Sequence, residues 1–463
     1  MYFNQISVDG LGCLSYVVGC PAAKAMAVVD PRRDIQVYLD IAREEGMRIT
    51  HVINTHLHAD HISGDQELQS ATGADIYIND SVPINYPHKP LSEGDVFEIG
   101  AAKIEVLSTP GHTPNSVTLV VTDKARSDEP QLLLTGDVLF VGDVGRPDLP
   151  GAEILEQQVQ NLYDSLYHKL TKYPDHMEVY PAHGQGSLCG RGMSAKKSST
   201  LGYERRANKM LGFGSFAEFK ADITSAFPSR PKSYTSIIET NRRGADLLDA
   251  CPSEKALTPE QFEDMMQAGA VVIDARDAAA FGGFHIPGSI NIGFEKQLAN
   301  WVGMVVEPGS DILLVVGDRD EYDRMTTELH RIGYDQIFGY LSGGVNAWLM
   351  SGRPVEQLEQ IPPRQLHDQL ATGDGGAPKV LDVRTPAEWQ SGHIAAAEHM
   401  ALTRLLDGER PFLPHDTQLV INCGSGFRSN IAASLLAKDG FTNVTSLAGG
   451  VFAWQNAGFS LVQ

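Results

Sequence analysis

Positive charge is in short supply. Across 463 residues, 37 lysines and arginines face 58 aspartates and glutamates, a formal net charge of −21. Nucleic acid and anionic membrane surfaces both need a basic footprint, so neither is expected as a main partner, and a small-molecule substrate fits better. Long apolar runs are missing as well: no window reaches the roughly 18 uninterrupted apolar residues of a membrane span. Met1–Gly10 has neither a basic start nor a long apolar run, so no signal peptide is expected. The five cysteines have no framework spacing, which excludes a disulfide scaffold and points to a reducing, cytoplasmic setting. Against these absences, 42% hydrophobic and 21% charged residues describe a globular chain, and its length suggests about three domains.

What is present is dominated by one stretch, Thr55-His56-Leu57-His58-Ala59-Asp60-His61, which follows the apolar strand end Val52-Ile53-Asn54. Three further strand ends each deliver one histidine or aspartate beside glycine or proline. Ile104–Leu107 runs into His112, Gln131–Leu134 into Asp137, and Val179-Tyr180 into His183. Strand termini on a rigid scaffold are where ligand groups are presented, so four segments offer seven candidate metal ligands. Short strands (Leu14–Val18, Ala25–Val29) and a helix (Ile35–Glu45) alternate here in an α/β pattern. From about 210 to 257 a Phe-rich segment extends this domain and then becomes a linker.

The remainder is an internal repeat. Val271-Val-Ile-Asp274-Ala-Arg276 returns as Val380-Leu-Asp382-Val-Arg384, and Gly283-Phe-His285 returns as Gly392-His393, with 11 residues from Asp to His in both copies. Gly343-Gly344-Val-Asn-Ala-Trp348 likewise matches Gly449-Gly450-Val-Phe-Ala-Trp454. The copies part at one turn. In the second, strand Gln418–Asn422 ends at Cys423-Gly424-Ser425-Gly426-Phe427-Arg428 before a helix expected over Ile431–Lys438. Such a turn aims backbone N–H groups and a helix N-terminus at the sulfur, which favours the thiolate, and Arg428 adds charge. In the first copy Asp318 aligns with Cys423 and is followed by Arg319, Asp320 and Glu321, a loop unable to hold an anionic sulfur.

His-x-His-x-Asp-His followed by His, Asp and His resembles the metallo-β-lactamase superfamily, which implies an αββα sandwich. In that superfamily His56, His58 and His112 make one metal site and Asp60, His61 and His183 a second, with Asp137 between them. Both repeats resemble the rhodanese family of sulfurtransferases, α/β domains with parallel sheets, in which the residue matching Cys423 carries sulfur as a persulfide. The first copy resembles a non-catalytic rhodanese. The boundaries implied are 1–250, 251–356 and 357–463. Along nearly its whole length the chain resembles persulfide dioxygenase–rhodanese fusions, a reading supported by Gly142–Asp148 and Ser198–Glu204. That resemblance implies one Fe(II) per chain on His56, His112 and Asp137, with His58, Asp60, His61 and His183 orienting ligands and water. It implies O2-dependent oxidation of a small thiol persulfide (glutathione, coenzyme A or similar) to sulfite, with Cys423 forming or using thiosulfate in sulfide detoxification. Arg146 and Cys189 are the candidate substrate-binding residues, and a homo-oligomer is expected. The rival is a two-zinc thioester hydrolase with regulatory rhodanese domains.

Overall fold

A computed structural model describes residues 1–227, 229–252, 255–371 and 377–463. The chain divides into two compact units, Met1–Cys251 with Thr327–Asp335, and Pro252–Thr326 with Gln336–Gln463. Segment Thr327–Asp335 thus groups with the first unit although it lies inside the first repeat. Its Arg331 pairs with Asp34 at 2.7 Å and its Asp335 with Arg33 at 2.6 Å.

The first unit is a four-layer αββα sandwich. One six-stranded sheet runs Tyr2–Val8, Cys13–Cys20, Ala25–Val29, Arg48–Ile53, Asp75–Asn79, Lys89–Leu91. The other runs Ser199–Thr200, Glu178–Pro181, Leu132–Gly136, Val117–Asp123, Ala102–Ser108, Val96–Ile99. Alternation explains the layering. Tyr16, Val18, Ala27 and Val29 meet Ile104, Val106, Leu119 and Leu134 between the sheets. Their strand neighbours Val17, Met26, Val28 and Val52 point the other way, onto Tyr38 and Ile41 of helix Gln36–Glu44. Val120 and Leu133 face Val159 and Leu162 of helix Leu155–Asp164. Central strands covered on both faces must be apolar on both, which is why they read as continuous runs rather than alternating ones. The Phe-rich extension forms helices Phe216–Ile223 and Ser233–Arg243.

The second unit holds two five-stranded parallel sheets of identical connectivity. Their orders are Ala256–Leu257, Ile337–Leu341, Ile312–Val315, Val271–Asp274, Ile290–Asn291, and Glu359–Ile361, Val444–Leu447, Leu419–Asn422, Lys379–Asp382, Ala397–His399. The repeated Asp-x-Arg is an internal brace. Arg276 closes on Asp274 and donates to the Phe284 carbonyl, while Arg384 closes on Asp382 and donates to that of Gly392. Each brace therefore ties a strand end to the segment carrying His285 or His393, which accounts for the shared 11-residue interval.

Candidate metal centre and sulfur-transfer site

All seven candidate ligands are buried together at one end of the sandwich, but they are not equivalent. His112 donates from Nδ1 to the Arg146 carbonyl at 2.8 Å. A carbonyl only accepts, so the lone pair is at Nε2. Thr55 donates its hydroxyl to Asp30 Oδ2 (2.8 Å) and accepts from His56 Nδ1 (3.0 Å), so His56 also presents its lone pair at Nε2. Burial, together with neighbouring histidine charge, holds His56 well below the usual imidazole range. Burial likewise pushes His112 down, so both are neutral donors. Asp137 Oδ2 lies 3.8 Å from His56 Nε2 and 3.4 Å from His112 Nε2. His112 Nε2 and Asp137 Oδ2 are buried without a hydrogen-bond partner. Three donors converging with unsatisfied atoms fit a two-histidine, one-carboxylate metal face.

The other four meet different neighbours, although His58 Nδ1, His61 Nε2 and His183 Nε2 are also buried without a hydrogen-bond partner, and Asp60, His61 and His183 form a second group of metal-ligand spacing with Cys13. His58 Nε2 turns to Asp30 Oδ1 at 3.1 Å. Asp30 also accepts the Thr55 amide; burial pushes its carboxyl up, but these partners outweigh it and hold it below the usual range. His183 sits between two carboxylates, with Nδ1 2.6 Å from Asp137 Oδ1 and Nε2 2.7 Å from Asp60 Oδ2. Burial lowers its affinity for a proton, yet Asp137 and Asp60 together raise it well above the usual value. His61 is likewise depressed by burial but pushed up to about 10 by Cys13 and Asp60. Cys13 closes this group, 3.5 Å from Asp60 and 3.7 Å from His61.

In the second unit Cys423 is fully buried at the strand-to-helix turn. The Gly426 amide donates to its Sγ at 3.1 Å, and Ser429 Oγ is 3.6 Å away. Helix Phe427–Lys438 begins four residues earlier than expected, so Arg428 and Ser429 lie in its first turn. Gly450 seals the back of the loop: at φ +56°, a Cβ there would meet the Cys423 carbonyl oxygen at 2.3 Å. Arg428 makes a two-point contact with Glu388 at 2.6 and 2.7 Å and also interacts electrostatically with the Cys423 sulfur. In the first copy, Asp318 caps helix Arg319–Arg331 by accepting from the Glu321 amide, and Glu321 accepts from the Gly317 amide. Carboxylates there occupy the kind of N–H cradle that faces sulfur in the second copy.

The metallo-beta-lactamase superfamily pattern matches residues 8–183, and the rhodanese-like domain pattern matches 258–351 and 363–457. A crystal structure of a metallo-beta-lactamase from Staphylococcus aureus subsp. aureus COL is 31% identical with a TM-score of 0.66, covering 74% of this chain and 98% of that one. The chain belongs to the metallo-β-lactamase superfamily. Persulfide dioxygenase ETHE1, mitochondrial, of Bos taurus is 27% identical over 234 residues, 50% of this chain and 83% of that protein. Hydroxyacylglutathione hydrolase of Rhodospirillum rubrum is 34% identical over 170 residues, 36% of this chain and 60% of that protein. The metallo-β-lactamase domain thus has persulfide dioxygenase homologues, carries two rhodanese-like domains, and has the metal-binding character of its fold.

Within this metallo-β-lactamase domain the two expected substrate residues are occupied otherwise. Arg146 is 2% exposed, with a two-point contact to Asp148 at 2.7 and 2.6 Å. Cys189 is sealed beside Asp137 and His183, and burial and the nearby carboxylates push its thiol well up. A groove of about 410 Å³ opens instead against the two ligand-bearing loops, lined by Leu57, Ala59, Thr113, Asn115, Arg230 and Arg242. Arg242 Nε is buried there without a partner. Asp30 and Glu388 escaped the sequence reading. Asp30 carried a usable signal, since it too ends an apolar strand, Ala25–Val29, beside a proline. No helix among the described residues is long and apolar enough to cross a membrane.

Proposed function

We propose that the protein is an Fe(II)-dependent persulfide dioxygenase with one iron per chain. It converts a low-molecular-weight thiol persulfide, such as that of glutathione or coenzyme A, together with O2 and water into sulfite and the parent thiol. Cys423 forms or uses thiosulfate in the same sulfide-detoxifying sequence. The reading extends to a cytoplasmic homo-oligomer. The observation that carries it is the split among the seven candidate ligands. His56, His112 and Asp137 aim their donors at one another and His58 Nε2 is on Asp30, while Asp60, His61 and His183, which with Cys13 form a second group of metal-ligand spacing, contact one another. A two-metal hydrolase needs His58 and the second group as ligands.

Fe(II) bound by His56, His112 and Asp137 supplies open positions and the redox chemistry toward O2 that zinc lacks. The protein does the rest. Asp30 and Thr55 fix the His56 tautomer, and the Arg146 carbonyl fixes that of His112. His183 holds a proton against Asp137 Oδ1, which leaves Oδ2 for the metal. Arg230 and Arg242 receive the anionic groups of the thiol carrier in the groove. At the other centre, the Cys423 sulfur attacks the outer sulfur of thiosulfate. Sulfite leaves, and the Gly426 amide steadies the charge on sulfur.

Two-zinc thioester hydrolysis is the second reading, favoured by the hydroxyacylglutathione hydrolase similarity. Metal content measured with O2 consumption on a panel of persulfides separates them. One iron and O2 uptake are expected, with both lost in His112→Ala. Two zinc ions, no O2 uptake and rapid thioester cleavage would establish the rival.

A further inference from the structure

The helix that follows the Cys423 loop packs against the repeat that has Asp318 in place of the loop cysteine. Phe427, the first residue after the Gly426 turn, meets Trp301 of helix Leu298–Val305 at a ring distance of 6.0 Å. A Cβ built on Gly293 would lie 3.7 Å from Phe427 Cε2. One turn further along, Asn430 donates to Asn291 Oδ1 at 3.0 Å and to the Ala278 carbonyl at 3.3 Å. Asn291 in turn donates to the carbonyls of Asp274 and Arg276, at the strand end braced by the first repeat's own ion pair. The Asn291 amide also donates to Ser434 Oγ at 3.2 Å. Asn291 is 3% exposed and Asn430 0%. A buried, satisfied polar pair has one favourable arrangement, so it sets position as well as contact.

These contacts fall on the first two turns of the helix whose N-terminal Gly426 amide donates to Cys423 Sγ. Gly426 itself is at φ +100°, and its own repeat holds the turn from one side through Ser429, whose hydroxyl donates to the Gly426 carbonyl at 2.9 Å. We infer that the first repeat is a positioning element of the sulfur-transfer site, with Trp301 and Asn291 acting through Phe427 and Asn430 to hold the Gly426 amide on the Cys423 sulfur. This rests on the reading of Cys423 as the sulfur carrier. It gives the first repeat a role other than a vestigial spacer.

The test uses full-length protein with two readouts, amide hydrogen exchange of peptides covering 423–430 and thiosulfate:cyanide sulfurtransferase kinetics. Trp301→Ala and Asn291→Ala are expected to raise exchange in that loop and to lower kcat about tenfold, the scale of a small misplacement of reacting groups, with a smaller change in KM. Trp301→Phe should restore most of both. Met350→Ala, at an 85% exposed position of the same repeat, should match the parent. Loop exchange at the parent level in the folded variants would overturn the inference. So would protection lost evenly through strand Leu419–Asn422 and the rest of the second repeat, since that marks a general loss of stability. If the alanine variants do not fold, Asn291→Ser and Trp301→Leu carry the same comparison. A parent without sulfurtransferase activity would sink the Cys423 reading, and loop exchange would still decide the positioning role.

Discussion

The two rhodanese-like repeats share their strand order, their Asp-x-Arg brace and a glycine pair opening a helix, yet their central turns hold opposite occupants. In one the backbone amide of Gly426 faces Cys423 sulfur; in the other the Gly317 and Glu321 amides are filled by the repeat's own carboxylates. The scaffold depends on residues spread over the whole repeat, and the chemistry on about six residues at one strand end. Chemistry can therefore be lost with no cost to the fold.

The comparison is most sharply broken by removing the sulfur. Cys423→Ser should lower thiosulfate sulfurtransferase activity by at least about a thousandfold, the scale of losing a nucleophile, while leaving O2 uptake at the parent level. The converse graft should fail: Asp318→Cys in the Cys423→Ser background should restore less than about a hundredth of the parent rate, because Glu321 still occupies the Gly317 amide. Activity near the parent level would show that the cysteine alone separates the repeats.

Glycine replacements probe the same difference in stability. Gly450→Ala places a Cβ 2.3 Å from the Cys423 carbonyl, where only backbone movement gives relief, and should cost about 3 kcal/mol. Its counterpart Gly344→Ala, with φ +60° but nothing nearer than 3.9 Å, should cost only about 1 kcal/mol. Denaturant melts of the two variants check the ranking.

The smallest effect is electrostatic. Burial pushes Glu388 up, but Arg428 outweighs it and draws the carboxyl from 4.5 to about 2. A depressed folded value stabilises the protein above the unfolded one. The contribution is therefore complete above pH 4.5 and fades as pH falls toward about 2. With the pair partly exposed, Glu388→Gln should cost less than about 1 kcal/mol at neutral pH. The gap in melting temperature between this variant and the parent should close across that acid window. The equivalent position in the first repeat has no such pair to titrate.

Much of the architecture was legible because it rests on short-range pattern. The strand ends before His112, Asp137 and His183, the repeated Asp-x-Arg and Gly-Gly-x-x-x-Trp segments, and the change from Cys423 to Asp318 are all visible in a line of letters. Alternation and turn chemistry are local. The early start of helix Phe427–Lys438 was missed because Phe427–Asn430 lacks a periodic apolar face until the neighbouring repeat covers it.

Residue types and their order therefore established a metal-binding sandwich, a duplicated α/β domain and a single cysteine cradle. Tertiary structure alone decided which hydrogen-bond partners each member of the ligand series meets. Whether His58 faces a metal or Asp30, and whether Arg146 faces a substrate or Asp148, depends on hydrogen-bond partners whose competition is settled only when the groups are buried together. A sequence records which donors and acceptors exist. Burial decides which of them are left without a partner, and at this centre those are His112 Nε2 and Asp137 Oδ2 together with His58 Nδ1, His61 Nε2 and His183 Nε2.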